Sequence, residues 1–594
     1  MCVQHQLQLL LFLAVLSLTK SYSVVVIGGG WAGYSASSTL ASSSGADVEV
    51  TILEASPRNS GGGLAGGWRT ASGRPVEAGI HGFWREYQNT FRVMRDEIGL
   101  DLDDVLSDFT PSVLFSKNGR VATAPVLATS ARKGRKSSKS SNPILSSIYG
   151  SLPPPLDTAL LADFDEKRLN LQDRISAVGL LSGWADFGQE DPDSWGRYDK
   201  ISAAEFFLDY GGVTPNLYAE LVSPMLHVLP MGPGSDISAA AALSCFHVFA
   251  LQTRGAFDVR WAKGSLSDLI FDPWRVKLEE KGVRVEGGKR VNGIERAEDG
   301  DGMVVTAEDG SEYTADAVIL AVGGTSAAKL KEGSKALKEA EGAKRVEDLR
   351  GVTCVATRIW LEPAPSPTTG LGGGAYSSTT LPKAVARAMG ESPIAVVGAG
   401  VLLPELEETG FCIYDLQRMH AEQHMAEDTA CLEVDMYRAD GIADMSDDEI
   451  VELALRAVSS ALKIDPLQVN VVDRAIVRAR NAVSHFNIGS AAASPGIKWG
   501  RNVYACGDYI DRQGHASWST EKAVVTGKQA AERVAKDLGL KGVKARVIPA
   551  APDTPQLSNL RRLAKSIRRV SGAQRLPVPV PWTIGKWIRK GVRP

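Results

Sequence analysis

The spacing of apolar and polar positions changes several times along the chain, and the changes divide it. Residues 24–27 (VVVI) are an unbroken apolar run, the pattern of a strand buried on both faces. Small residues follow and predict a helix over about 31–44, and 47–53 (DVEVTIL) predicts a second strand. Far downstream, 283–322 alternates like strands. Asp309-Gly310 reads there as a hairpin turn, and 317–322 as an apolar strand ending at Gly323-Gly324. Near the C-terminus 503–506 (VYAC) predicts a short strand, Gly507-Asp508 its exit, and about 518–535 a helix. One α/β domain is thereby assembled from three separated pieces, and the stretches between them must form a second domain.

The first strand ends in glycines. Gly28, Gly30 and Gly33 give G-x-G-x-x-G between strand and helix, and Glu54 closes the second strand 21 residues after Gly33. The first glycine permits the tight turn, the second lets a pyrophosphate approach the backbone, and the third lets helix and strand pack closely. The helix then points its N-terminal N–H groups at the phosphates, and Glu54 can take a ribose hydroxyl. A second cluster, NSGGGLAGGW (59–68), follows at once. An NAD enzyme has no use for glycines there, whereas in an FAD enzyme that loop passes along the pyrophosphate and ribityl chain. At the far end an aspartate after the last strand can bond the ribityl chain, and the helix behind it can face the flavin.

Composition changes the picture only at the ends. The 594 residues are enough for two sizeable cores, and 44% hydrophobic with 23% charged residues is ordinary for a globular protein. A net charge of -3 leaves no nucleic-acid footprint on the whole chain. Residues 554–594, however, hold ten Lys or Arg and no Asp or Glu. In LSNLRRLAKSIRRV, Leu560, Leu563, Ala564 and Ile567 fall on one helical face amid Arg561, Arg562, Lys565, Arg568 and Arg569, and Trp582 and Trp587 alternate with further basic residues. The basic tail, 541–594, is expected to make peripheral membrane contact. At the other end, an apolar stretch over 7–18 and Ser21 and Ser23 fit a signal peptide spanning 1–23. The Ser-rich basic segment 129–143 is expected to be a disordered surface insertion. Six cysteines without CxxC or CxxH spacing offer no metal site.

With these motifs in place, the chain resembles the FAD-dependent amine oxidase superfamily, and within it the branch of phytoene and zeta-carotene desaturases. The resemblance rests on 24–40, on LEASPRNSGGGLAGGW (53–68), on EAGIHGFWREYQNTFRVMRDEIGL (77–100), on the middle stretches 199–243 and 260–285, and on GDY with ASWSTEKAVVTGKQAA near the end. It covers about 24–540. It implies an α/β fold: a Rossmann-type FAD-binding domain of glutathione-reductase-like topology, built from discontinuous segments and interleaved with an α+β substrate-binding domain. The FAD-binding pieces would be 24–95, 256–325 and 475–540, and the substrate-binding pieces 96–255 and 326–474. Carried over by position, Gly28, Gly30, Gly33 and Glu54 would hold the ADP half of FAD, Gly62 and Gly63 match the paired glycines, Val291 the backbone that meets adenine, and Gly507 and Asp508 the flavin-contacting pair. The pattern is broken at Leu64, where Lys or Arg is usual, and at 519–522 (STEK).

The chemistry implied is removal of hydrogen from a hydrophobic polyene to flavin N5, with electrons passing on to a quinone or to oxygen. An amine oxidase using oxygen, a flavin-dependent isomerase and a non-catalytic carotenoid carrier remain open. The flavin carries the hard step, so no acid–base or nucleophilic set is required and the catalytic residues stay unassigned. His81, Glu521, Lys522 and Cys506 are candidates that read more simply as structural. Phe206, Phe207, Phe246 and Phe249 suit a substrate tunnel or a plain core. The resemblance suggests a plastid; the N-terminal stretch leaves the secretory pathway open.

Overall fold

A computed structural model describes residues 21–42, 48–57, 61–116, 119–124, 126–127, 163–253, 255–298, 300–364, 381–397, 403–406, 408–420, 429–511 and 519–571. Most of the proposed signal peptide, the 129–143 insertion and the tail beyond 571, with Trp582 and Trp587, lie outside the described residues.

The first sheet has six strands. Their order in space is Arg284–Gly287, Val48–Glu54, Tyr22–Ile27, Ala317–Leu320, Val503–Ala505 and Lys498–Gly500. The first five run parallel and the last is antiparallel. Alternate residues of the central strand serve two cores, Val24 and Val26 one side and Val25 and Ile27 the other, so an all-apolar run is what a doubly covered strand needs. One cover is the helix Trp31–Ala41 against the helix Thr520–Leu538. They approach so closely that a Cβ on Gly527 would lie 2.2 Å from the Ala32 carbonyl oxygen. The other cover is an antiparallel meander, Val291–Arg296, Met303–Ala307 and Glu312–Ala315, with Gly310 (φ +84°) in the expected hairpin turn.

The second sheet has eight strands, in the order Val469–His485, Arg350–Pro363, Ala430–Tyr437, Gly410–Asp415, Ile394–Val397, Ser112–Ser116, Gly119–Ala124 and Asp163–Phe164. All neighbours are antiparallel except Ile394–Val397 with Ser112–Ser116. The helix Asp447–Leu462 covers one face, started by a capping box of Ser446 and Glu449. Helices from 171–251 and the first domain cover the other. Phe206 and Phe207 are fully buried there, edge-on to each other and part of a ring chain with Tyr198, so they are core.

Three boundaries differ from the expectation. Residues 475–485 do not join the first domain, because Val469–His485 pairs along its length with Arg350–Pro363. Residues 326–349 do not join the second: Ala327, Leu330, Leu337 and Val346 share a core with Val25 and Leu320. Ile98 and Val105 likewise pack with the first sheet, past the expected limit at 95. Periodicity reports that a segment is buried, not which sheet buries it. Among the described residues no helix is long and apolar enough to cross a membrane.

Candidate functional site

The central strand ends at Ile27, and the chain turns through Gly28 at φ +106°. A Cβ on Gly28 would stand 2.6 Å from the Ala321 carbonyl oxygen, and one on Gly33 would stand 1.9 Å from the Gly28 carbonyl oxygen. Turn, neighbouring strand and helix therefore meet with no room for side chains. The helix that starts at Trp31 has no side-chain cap and no acidic residue in its first turn. Its leading N–H groups are the kind of donors an anion satisfies.

Glu54 is buried beside this turn. Its Oε2 accepts the Gly29 N–H and its Oε1 the Ser56 N–H, both at 2.8 Å. Its own carbonyl accepts the Lys289 N–H at 2.8 Å, which brings Val291, two residues on, to the same edge. The second glycine loop closes on the first: Gly62 (φ +104°) donates its N–H to the Gly29 carbonyl at 2.8 Å, and a Cβ on Gly30 would lie 3.9 Å from the Gly63 Cα. Gly28, Gly30, Gly33, Glu54, Gly62 and Gly63 thus form one cradle, with Val291 adjoining.

Gly507 and Asp508 arrive two strands away, after Val503–Ala505. Gly507, at φ +140°, donates its N–H to Thr526 Oγ1 on the last helix of the sheet (3.0 Å). Like Gly28 it faces the 321–322 segment. Asp508 accepts from Ser484 Oγ at 2.9 Å, and burial raises its carboxyl pKa. Ser484 belongs to the long strand of the second sheet, so Asp508 stands where the two domains meet.

The remaining candidates are held within the fold. His81 sets Nδ1 3.0 Å from the Gly79 carbonyl, and burial lowers its pKa, which keeps the ring neutral. Cys506 is fully buried, and desolvation raises its thiol pKa, so no thiolate forms. Glu521 and Lys522 are buried; Glu521 binds Asn89 and Thr90, and Lys522 Nζ donates to the Asp511 carbonyl at 3.1 Å. Sequence reasoning missed a buried group between the domains: Glu77, Arg358, Glu433 and Asp435. Its one signal was the polar alternation in CLEVDMY (431–437), a pattern that ordinarily marks a face turned to water.

The cradle suits a dinucleotide on both tests the residues allow, an uncapped helix start and glycines whose side chains would fill the space. The second glycine loop and the returning C-terminal strand make this a two-domain flavoprotein. The chain belongs to the flavin-containing amine oxidoreductase family, whose sequence profile matches residues 31–535, and its cofactor is FAD. Among named relatives, the zeta-carotene desaturase of Synechocystis sp. is 26% identical over 309 residues, 50% of this chain and 57% of that protein. The chloroplastic/chromoplastic zeta-carotene desaturase of Arabidopsis thaliana is 25% identical over 262 residues, 44% of this chain and 42% of that protein. The chain spans about half the length of the curated relatives it matches. Putrescine oxidase bound to putrescine superposes with a TM-score of 0.55 at 14% identity, covering 87% of this chain and 99% of that one, a likeness of fold.

Glu54 yields a direct test. Glu54→Ala removes the acceptor of two N–H groups that shape the cradle. FAD affinity should fall by roughly 10- to 100-fold, from charge-assisted bonds worth about 1.5–3 kcal/mol. A flavin fluorescence titration reads this, and unchanged affinity would place the adenosine end elsewhere.

Proposed function

We propose that the protein is a carotenoid desaturase-like oxidoreductase that removes hydrogen from neighbouring carbons of a polyene. The observation that carries this reading is the similarity to zeta-carotene desaturases over half the chain. Bound FAD supplies the oxidising power; Glu54 and the glycine turns would hold its nucleotide end, and Asp508 would fix the end nearer the second domain.

The test is anaerobic mixing of FAD-loaded protein with liposomes carrying phytoene, zeta-carotene or a later carotene. Bleaching of the oxidised flavin band, with a product lighter by two hydrogens, is expected. An altered product of unchanged mass would replace the reading with an isomerase, and peroxide formed from amines would replace it with an amine oxidase. Reoxidation by a quinone against oxygen then identifies the electron acceptor.

A hydrophobic substrate requires contact with a membrane, and the helix Pro555–Ser571 is the proposed means. It differs from the expected free stripe. Ala564 packs inward with Leu557, while Arg568 pairs with Asp186 and Arg561 with Asp553, which anchors the helix to the body. Leu560, Leu563 and Val570 stay exposed beside Arg562, Lys565 and Arg569. Changing those three basic residues to Gln should weaken binding to anionic vesicles by about 3 kcal/mol, roughly 100-fold. Equal sedimentation of variant and wild type would reject the idea. The compartment we propose is a plastid or the secretory pathway, reached through the N-terminal apolar stretch; a fluorescent fusion imaged in the source cell distinguishes them.

A further inference from the structure

The inward face of the second sheet carries charge where water does not reach. Arg358, Glu433 and Asp435 are 1%, 1% and 3% exposed. Arg358 stands directly opposite Glu433 on the adjacent strand and donates through Nε to Glu433 Oε2 and through Nη1 to the Pro75 carbonyl. Asp435 Oδ2 accepts the Ile80 N–H at 2.9 Å. Gly79, at φ +111°, lets the backbone come this close: a Cβ there would lie 3.1 Å from Asp435 Oδ2. The second sheet is thereby bonded to the segment that runs on from the second glycine loop.

The other two oxygens, Glu433 Oε1 and Asp435 Oδ1, are buried and have no donor. Buried oxygens rarely stay unpaired. Glu433 and Asp435 are two apart on one strand, so their side chains leave from the same face, and their carboxyls come within hydrogen-bonding reach. One proton between them gives both oxygens a partner.

We propose that Glu433 and Asp435 share a single proton, and that Asp435, kept neutral by it, is a positioning residue that locks the second sheet to the 79–81 segment. The surroundings agree. Arg358 can offset one carboxylate, and Glu433 is the one it contacts. Burial foremost, then the Glu433 charge, raises the Asp435 pKa. Across the domain junction Glu77 is pushed up to about 8, again by burial, and His81 is held neutral. From the flanking strands Cys354, Cys412 and Tyr414 face the pair, and from its own strand Tyr437; burial keeps all four neutral. His420, near Arg358, is lowered to about 3 and adds no charge. One negative charge is left beside one positive charge.

The sign of the pH effect follows. A carboxyl whose folded pKa is raised keeps its proton in the folded state after the unfolded chain has lost it. The stability it supplies is full below the unfolded pKa and declines as pH rises toward the folded value.

The experiment uses the full-length FAD-loaded protein and its infrared spectrum at about pH 7. A protonated-carboxyl C=O band is expected in the wild type. Asp435→Asn places an amide where the protonated acid stood: its oxygen can accept from Ile80 and its NH2 can donate to Glu433. That variant should lose part of the band, keep its flavin, and show a shallower fall of Tm between about pH 5 and pH 8. Asp435→Ala should melt lower at every pH and retain less flavin. An unchanged band in Asp435→Asn, or a pH slope equal to wild type, would overturn the proposal. If Asp435→Asn does not fold, Glu77→Gln decides: with the Glu77 contribution removed, the band must persist, and its absence rejects a shared proton. None of these readings depends on which substrate is turned over.

Discussion

Gly33→Val is expected to give a protein that purifies without flavin. The position lies in the first turn of the helix after the glycine loop, where a Cβ would sit 1.9 Å from the Gly28 carbonyl oxygen. No rotamer relieves that contact, because both partners are backbone or Cβ. Either the helix start withdraws from the strand or the Gly28 turn opens. Gly28 is itself held to the neighbouring strand, since its N–H is bonded to the Leu53 carbonyl at 2.9 Å. Overpacking costs about 1–3 kcal/mol in stability. The larger effect falls on binding, because the helix N–H groups and the glycine turns must converge on one pyrophosphate. A loss of FAD affinity of at least about 100-fold, equivalent to about 2.7 kcal/mol, is expected by titration of the apoprotein. Gly196→Ala is the control: a Cβ there meets nothing within 4 Å, so flavin should be retained. Wild-type affinity in Gly33→Val would show that this turn is not the pyrophosphate seat.

That half of the site was legible because it is local. A strand, a turn that only glycine can make, a helix and a second strand lie within 22–54, and each step constrains the next. The three-piece assembly was also readable, since the apolar strands at 317–320 and 503–505 had to be buried on both sides. Contacts made across hundreds of residues were not readable. Val469–His485 alternates like any half-buried strand, and only its pairing with Arg350–Pro363 assigns it to the second sheet. Glu433 and Asp435 alternate with Leu432 and Val434 as a solvent-facing row would, yet the 75–80 segment covers them. Burial of charge depends on a partner from another segment, here Arg358, and spacing along one strand carries no record of it.

Glu521→Ala should cost about 3 kcal/mol or more of folding stability, because each buried donor left unpaired costs about 1–3 kcal/mol. Glu521 is 3% exposed, in the first turn of the helix Thr520–Leu538. Oε1 accepts from Asn89 N and Nδ2 at 2.9 and 2.7 Å, and Oε2 from Thr90 N and Oγ1 at 2.8 and 2.7 Å. The helix Gln88–Arg92 begins at Tyr87 with no side-chain cap of its own, so a residue more than 400 positions away supplies the acceptor its first turn lacks. Asn89 passes the connection on, exchanging hydrogen bonds with Ile548 through both ends of its amide. Alanine would leave two backbone donors and two side-chain donors facing an empty space. Glu521→Gln keeps the volume but turns an NH2 toward one pair of donors, so its loss should be smaller and still measurable. Urea unfolding of the flavin-loaded protein reads both variants, and a loss below about 0.5 kcal/mol for Ala would mean that the four bonds contribute no net stability. Flavin affinity should fall with stability, because the same helix holds Gly507 through Thr526. Lys522 sits next to Glu521 and its Nζ bonds the Asp511 carbonyl, so loosening the helix start also loosens the chain that leaves Asp508. The anchor of the fold and the Gly507-Asp508 end of the candidate site are therefore one mechanical unit, and damage to Glu521 should appear in both measurements together.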